Sequence, residues 1–321
     1  VIARALKHSG DTILSVTQTS QDASQSAIAA RIEWPTVFLL STCYALWGLS
    51  LTWITDLWLP FGMLMCTLTI ALHASLQHEI IHGHPFRAEW LNQLSVFPTL
   101  NLAIPFLRFK ETHLRHHQDA NLTDPYDDPE SNYLAADRWA RLPRWHQALL
   151  CANNTLLGRL LLGPALSQIA FMQDDLKSIR NGRTGVLVGW LWHLPSLGAV
   201  IALVWWSPMP VWAYAVSAYL GLSLLKIRTF LEHQAHDHTS GRTVVIEDRG
   251  LLAFLFLNNN LHIVHHMHPR VPWYALPKLY FSNRARYLNR NFGYRYGSYS
   301  EVFRKHFLRP KDPVPHPFLK R

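Results

Sequence analysis

Cysteine is nearly absent from this chain. Cys43, Cys66 and Cys151 stand singly in apolar surroundings with no CxxC pair. That argues against a disulfide framework, a zinc knuckle or a thiolate-held iron cluster, and leaves the three thiols as packing residues. Charge is thin as well: Asp, Glu, Lys and Arg make up 16% of the 321 residues, against 49% hydrophobic residues and 13 tryptophans. The net charge is +9, yet the basic residues form no stripe and match no binding motif, so nucleic acid is not an expected partner. No glycine-rich dinucleotide fingerprint follows a strand, and no internal repeat or low-complexity tract stands out. What the chain has instead is apolar residues in blocks, the composition of a protein embedded in a lipid bilayer.

Thr36 to Thr55 is free of charge for 20 residues, which as a helix of about 1.5 Å per residue crosses a hydrocarbon core of about 30 Å. Leu57 to Gln77 is a second such run, reached by a tight connection at Leu59-Pro60, and the two form a helical hairpin. Val186 to Trp206 and Val211 to Leu225 form another, joined by Ser207-Pro208-Met209-Pro210, with Trp205, Trp206 and Trp212 placed for an interfacial belt. The fourth run is short unless Lys226 snorkels. Of 30 Lys and Arg, 3 precede the first span, 11 lie between the hairpins and 16 follow the fourth span, with none in either short connection. By the positive-inside rule both termini and the middle segment face the cytosol. Leu91 to Leu107 is uncharged but holds Pro98 and Pro105, and is expected to be re-entrant or interfacial. Gly250 to Val264 is too short and Asn-rich to span, and is expected to be a buried or interfacial helix. Residues 1–33 read as a polar tail, and 34–321 as one membrane-embedded, all-α unit of about four spans with interfacial helices.

Histidine carries the chemistry. His78-Glu79-Ile80-Ile81-His82-Gly83-His84 places two imidazoles four residues apart on one helix face. Alone, that string also fits the HExxH site of zinc peptidases, with Glu79 as general base. Three further clusters separate the readings: His113-Leu-Arg-His116-His117; Glu232-His233-Gln-Ala-His236-Asp-His238; and His262-Ile-Val-His265-His266-Met-His268. The four-span topology puts all of them on the cytosolic side. HxxHH spacing on a helix turns three imidazoles toward one pocket, and with His78 and His82 the boxes offer eight nitrogens. That exceeds the needs of one tetrahedral zinc and suits two metal ions, which on ligand chemistry alone are zinc, copper, iron or nickel. A metal carrier is a third reading, although carriers place ligands at mid-membrane, and these clusters lie beyond span ends.

Taken together, HExxHGH, HLRHH, LEHQAH and NNNLHIVHHMHP resemble the membrane fatty acid desaturase superfamily, over roughly residues 34 to 280. The resemblance implies two iron ions, dioxygen as co-substrate, and attack on unactivated C–H bonds of a fatty acyl, fatty acid or alkyl chain. Desaturation is the leading outcome, with hydroxylation or alkene-forming decarboxylation as alternatives. It makes His78, His82, His113, His116, His117, His262, His265 and His266 metal ligands, with His233 preferred over His236 as the ninth. Electrons are then expected from a ferredoxin, rubredoxin or cytochrome.

Around these ligands, Glu79 and Glu232 are expected to orient imidazoles, and Asp119, Asp124, Asp127 and Asp128 to do so or to form a solvated turn. One of Asn258, Asn259 and Asn260 is a candidate for holding a metal-bound water, with Asn258 singled out near the site and helix termination as the alternative. His84, His238 and His268 are expected near the site or at the surface. His73 and His193 are expected to be hydrogen-bonded within spans, and His8, His146, His306 and His316 to be surface groups.

Overall fold

A computed structural model describes residues 32–118 and 121–319. Most of the expected tail, with His8, lies outside these residues, as does Asp119. The molecule is helical. α1 (Trp34–Leu51) and α2 (Trp53–Leu57) turn at Trp58 into α3 (Leu59–Ile81), followed by α4 (Glu89–Ser95), α5 (Phe106–Gln118), α6 (Ala136–Arg141), α7 (Arg144–Asn153) and α8 (Leu156–Arg180). α9 (Thr184–Trp205) and α10 (Val211–Thr229) make the second hairpin, and α11 (Leu251–Leu255) to α15 (Tyr299–His306) complete a cap. Among the described residues, paired strands are confined to two dipeptides, Val245–Ile246 and Arg295–Tyr296, which run parallel.

Among the described residues, three helices are long and apolar enough to cross a membrane: Trp34–Leu57 taken as one, α3 and α9. A fourth is available if α7 and α8, bent by 116°, form one span. α3 is central, with 56% of its apolar window buried, against 33% for Trp34–Leu57 and 28% for α9. The outer helices therefore present most of their apolar surface outward, as lipid contact requires. Exposed Trp53 and Trp58 mark one hairpin turn and exposed Trp205, Trp206 and Trp212 the other. Both turns thus carry an aromatic belt.

The expected fourth span is helical as α10 but lies outside the set above. Lys226 and Arg228 in its last turn pull its hydropathy down, and its packed face carries the small residues Ala213, Ser217, Ala218, Gly221 and Ser223, all buried. Small residues let it approach α3 closely: a Cβ on Gly221 would stand 2.8 Å from Ile70 Cγ2. Trp47, Cys66, Ile70, Val200, Tyr214 and Ala218 build the core between the hairpins.

Leu91 to Leu107 forms no continuous helix. Its irregular stretch is pinned inside the bundle by the Ser196 hydroxyl, which donates to the Phe97 carbonyl (2.7 Å) and accepts from the Thr99 amide (2.9 Å). Tyr214 donates to the Leu100 carbonyl (2.8 Å), and His193 Nε2 lies 3.0 Å from the Leu102 carbonyl. Non-helical backbone here is satisfied by protein, as a lipid setting demands. Gly250 to Val264 is likewise not one helix. The chain breaks with Leu257 and Asn258 at φ 51° and 56°, then re-forms as α12 (His262–Met267). Asn side chains make the break: Asn258 Nδ2 donates to the Trp273 carbonyl (3.0 Å), and Asn260 Nδ2 to that of Ile246 (2.7 Å). Cys43 and Cys66 are buried as expected, whereas Cys151 is exposed on α7, a helix with no buried residue.

Candidate metal centre

Four elements bring the histidines together. α3 runs past Gln77, so His78 stays helical and His82 closes the helix; Gly83 then turns the chain at φ 98°, where glycine has no steric penalty. α5 carries His113, His116 and His117, α12 carries His262, His265 and His266, and the segment after α10 supplies His233.

The nine imidazoles fall into two groups whose ring nitrogens lie within 4.8 Å of one another. One is His78, His82, His113, His117 and His265; the other is His116, His233, His262 and His266. In the first, Nε2 atoms of His113 and His82 are 3.2 Å apart, those of His117 and His113 3.1 Å, and those of His265 and His117 3.1 Å. In the second, His233 Nε2 lies 3.0 Å from that of His116 and 3.1 Å from that of His262, which is 3.1 Å from that of His266.

The opposite ring edges explain this. His113 Nδ1 donates to Glu130 (3.0 Å), His116 Nδ1 to Asp128 (2.8 Å) and His262 Nδ1 to Asn259 Oδ1 (3.0 Å). Each acceptor fixes the proton on Nδ1, so a neutral ring points a bare Nε2 lone pair inward. Lone pairs facing one another at these distances need a cation between them. Two nitrogens about 2.1 Å from one ion and at right angles to each other lie about 3.0 Å apart, so the donor set fits an ion in each group. His78 Nε2, buried and without a partner among the described residues, completes the first.

Burial, reinforced by neighbouring imidazoles, holds His82, His233, His262, His265 and His266 well below the usual histidine range, and takes His117 down to about 3. These rings are neutral, as ligation requires. His116 differs: burial opposes its proton, but Glu130 and Asp128 outweigh that and push it up to about 9. Burial also raises Glu130, and His113 and His116 more than reverse it, holding the carboxyl below its ordinary value.

Several expected residues sit elsewhere. Glu79 does not reach a grouped imidazole. It accepts from the Trp273 amide (2.9 Å) and faces His84 Nε2 at 3.8 Å, while His84 Nδ1 donates to Glu33 (2.7 Å); these three form a separate buried cluster. Glu232 pairs with Arg228 (2.9 Å) and takes the Asn259 amide (3.3 Å), so it acts on His262 through Asn259. Asn259, not Asn258, touches the centre, since the Asn258 side chain is turned to the Trp273 carbonyl. His236 packs on Phe292 and His238 outside both groups, and His316 is buried, 3.2 Å from the Thr123 hydroxyl, rather than at the surface. His73 lies 3.0 Å from the Tyr44 hydroxyl inside the bundle. Glu130 carried no sequence signal: it sits in an irregular segment where no periodicity links it to the boxes.

Fold and centre define a helical membrane protein built around a buried poly-imidazole metal site. The fatty acid desaturase family profile matches residues 56–300, and the chain belongs to that family. It is 26% identical over 255 residues to the sphingolipid delta(4)-desaturase/C4-monooxygenase of Homo sapiens, covering 77% of this chain and 72% of that protein. It is 25% identical over 230 residues to the beta-carotene ketolase of Paracoccus sp. (strain N81106 / MBIC 01143), covering 68% and 74%. The chain is thus an oxidoreductase of the desaturase and hydroxylase type.

Proposed function

We propose that this protein is a dioxygen-dependent di-iron enzyme that desaturates a fatty acyl or fatty acid chain. The observation that carries it is the convergence of nine Nε2 atoms into two groups, with Nδ1 protons anchored outside in three of the rings. His78, His82, His113, His117 and His265 would hold one iron, and His116, His233, His262 and His266 the other. Iron bound there supplies, with dioxygen, the oxidising power that an unactivated C–H bond demands. The protein's part is to keep most of the imidazoles neutral by burial, leaving His116 to give up its extra proton to the metal, and to fix the His116, His113 and His262 rings through Asp128, Glu130 and Asn259. Electrons come from a separate ferredoxin, rubredoxin or cytochrome, docking on a cytosolic face that is rich in Lys and Arg.

Metal analysis of purified protein, followed by turnover with dioxygen, a reducing system and a fatty acid panel, tests the reading. About two irons per chain with oxygen-dependent loss of two hydrogens is expected. One zinc and no oxidised lipid would overturn it, and gain of one oxygen would make the enzyme a hydroxylase. His265→Ala should abolish turnover and lower metal content while membrane insertion persists, because insertion rests on the spans.

A further inference from the structure

Arg159 lies within electrostatic reach of both Lys226 and Lys311, and Lys311 contacts the His233 segment. Arg159, on α8, is 7% exposed. Among the described residues, its guanidinium meets only neutral acceptors, the Asn153 carbonyl (3.0 Å) and Asn132 Oδ1 (2.5 Å). Lys226, in the last turn of α10, runs beside it: a Cβ on Gly163 would meet Arg159 Cδ at 2.9 Å and Lys226 Cγ at 3.4 Å. Among the described residues, no carboxylate lies within ion-pair distance of Arg159 or Lys226. Lys311 Nζ donates to the His233 carbonyl and has Asp312 at 3.6 Å, but Asp312 also takes the Tyr133 hydroxyl.

The other carboxylates whose charge reaches Lys226 are committed elsewhere, Glu232 to Arg228 and Asn259, and Glu130 to His113. Cations held in low-dielectric surroundings without counterions are costly, and metal in the neighbouring centre adds further positive charge. An anion relieves both. Lys226 keeps part of its surface open where α10 ends, while Arg159 is buried behind it, so the anion enters past Lys226. Resting on the reading of the centre as a lipid-chain oxidase, we propose that Arg159, Lys226 and Lys311 form the subsite for the substrate's own carboxylate. The enzyme then takes free fatty acids rather than esters or thioesters. Through Lys311 and His233 the carboxyl end lies beside the second histidine group. The plain alternative is a lysine that merely snorkels to the interface, which would bind nothing.

Equilibrium binding of dodecanoate and hexadecanoate, each against its methyl ester, to purified metal-loaded protein without reductant separates the two. The acids should bind about tenfold tighter than the esters, the worth of one charge-assisted hydrogen bond. Lys226→Met should erase that preference while leaving ester binding unchanged, and Lys226→Arg should keep it. Equal binding of acid and ester, no binding of acid, or a preference that survives Lys226→Met would overturn the subsite. A protein that oxidises esters or thioesters without acid preference loses the subsite and keeps the proposed function. One that prefers acids yet oxidises no lipid does the reverse.

Discussion

At residue scale, Asp128 shows how one carboxylate sets a metal ligand. Its Oδ1 accepts from His116 Nδ1 (2.8 Å) and from the Glu130 amide (2.9 Å), and its Oδ2 from the Thr123 amide (2.8 Å). Two backbone anchors hold the carboxylate still, so it holds the imidazole still. Asp128→Asn keeps the shape and removes the charge, and such outer partners are typically worth about 10- to 100-fold in metal affinity. Chelator titration should therefore release metal from the variant first at the His116 group, while the five-histidine group retains its own. Equal retention in wild type and variant would remove Asp128 from this role. Asp124, by contrast, accepts from the Tyr126 amide (2.8 Å) and shapes a turn. The acidic run around the two residues was legible as an ensemble, but only the backbone path decides which member meets a histidine. The histidine boxes were legible one by one because i, i+3 and i+4 spacing is a local property of a helix.

Elements divide in the same way. The uncharged spans could be read directly, whereas α8 could not, because Arg159, Asp174, Asp175, Lys177 and Arg180 interrupt its apolar pattern. Asp175 is nonetheless buried, taking both Arg108 Nε (2.9 Å) and Nη2 (2.8 Å) and the Trp190 indole (2.8 Å). Its partners lie far away in the chain, and no local window contains them. A comparable long-range tie secures the cap. Glu247, just past the first strand, accepts from Tyr280 (2.6 Å), Arg284 (2.5 Å) and Arg295 (2.6 Å). Burial raises its carboxyl, but the hydrogen bonds from Arg284, Tyr280 and Arg295 prevail and hold it at about 2, against an ordinary 4.5. A carboxyl depressed by folding contributes stability that is complete above the unfolded value and disappears as pH falls through the folded one. Glu247→Gln should melt a few degrees below wild type at neutral pH, and the gap should close between about pH 4.5 and pH 2. A gap independent of pH would assign the effect to packing rather than to charge.

For the whole molecule, orientation is the property that charge counts address and helix packing does not. Lys and Arg crowd the segments that carry every histidine box, and both tryptophan-marked hairpin turns lack them; on that charge bias we propose that the boxes and both termini face the cytosol. The thiols make this measurable. Cys43 and Cys66 are buried, while Cys151 is exposed on α7, in the segment that joins the two hairpins. An impermeant maleimide applied to intact cells should leave the wild-type protein unlabelled and should modify Cys151 once the membrane is opened. Ser207→Cys, at the turn between α9 and α10, should label without opening the cells. Labelling in the opposite order would turn the protein over in the membrane and place the histidine centre, with any docking electron donor, on the outer side.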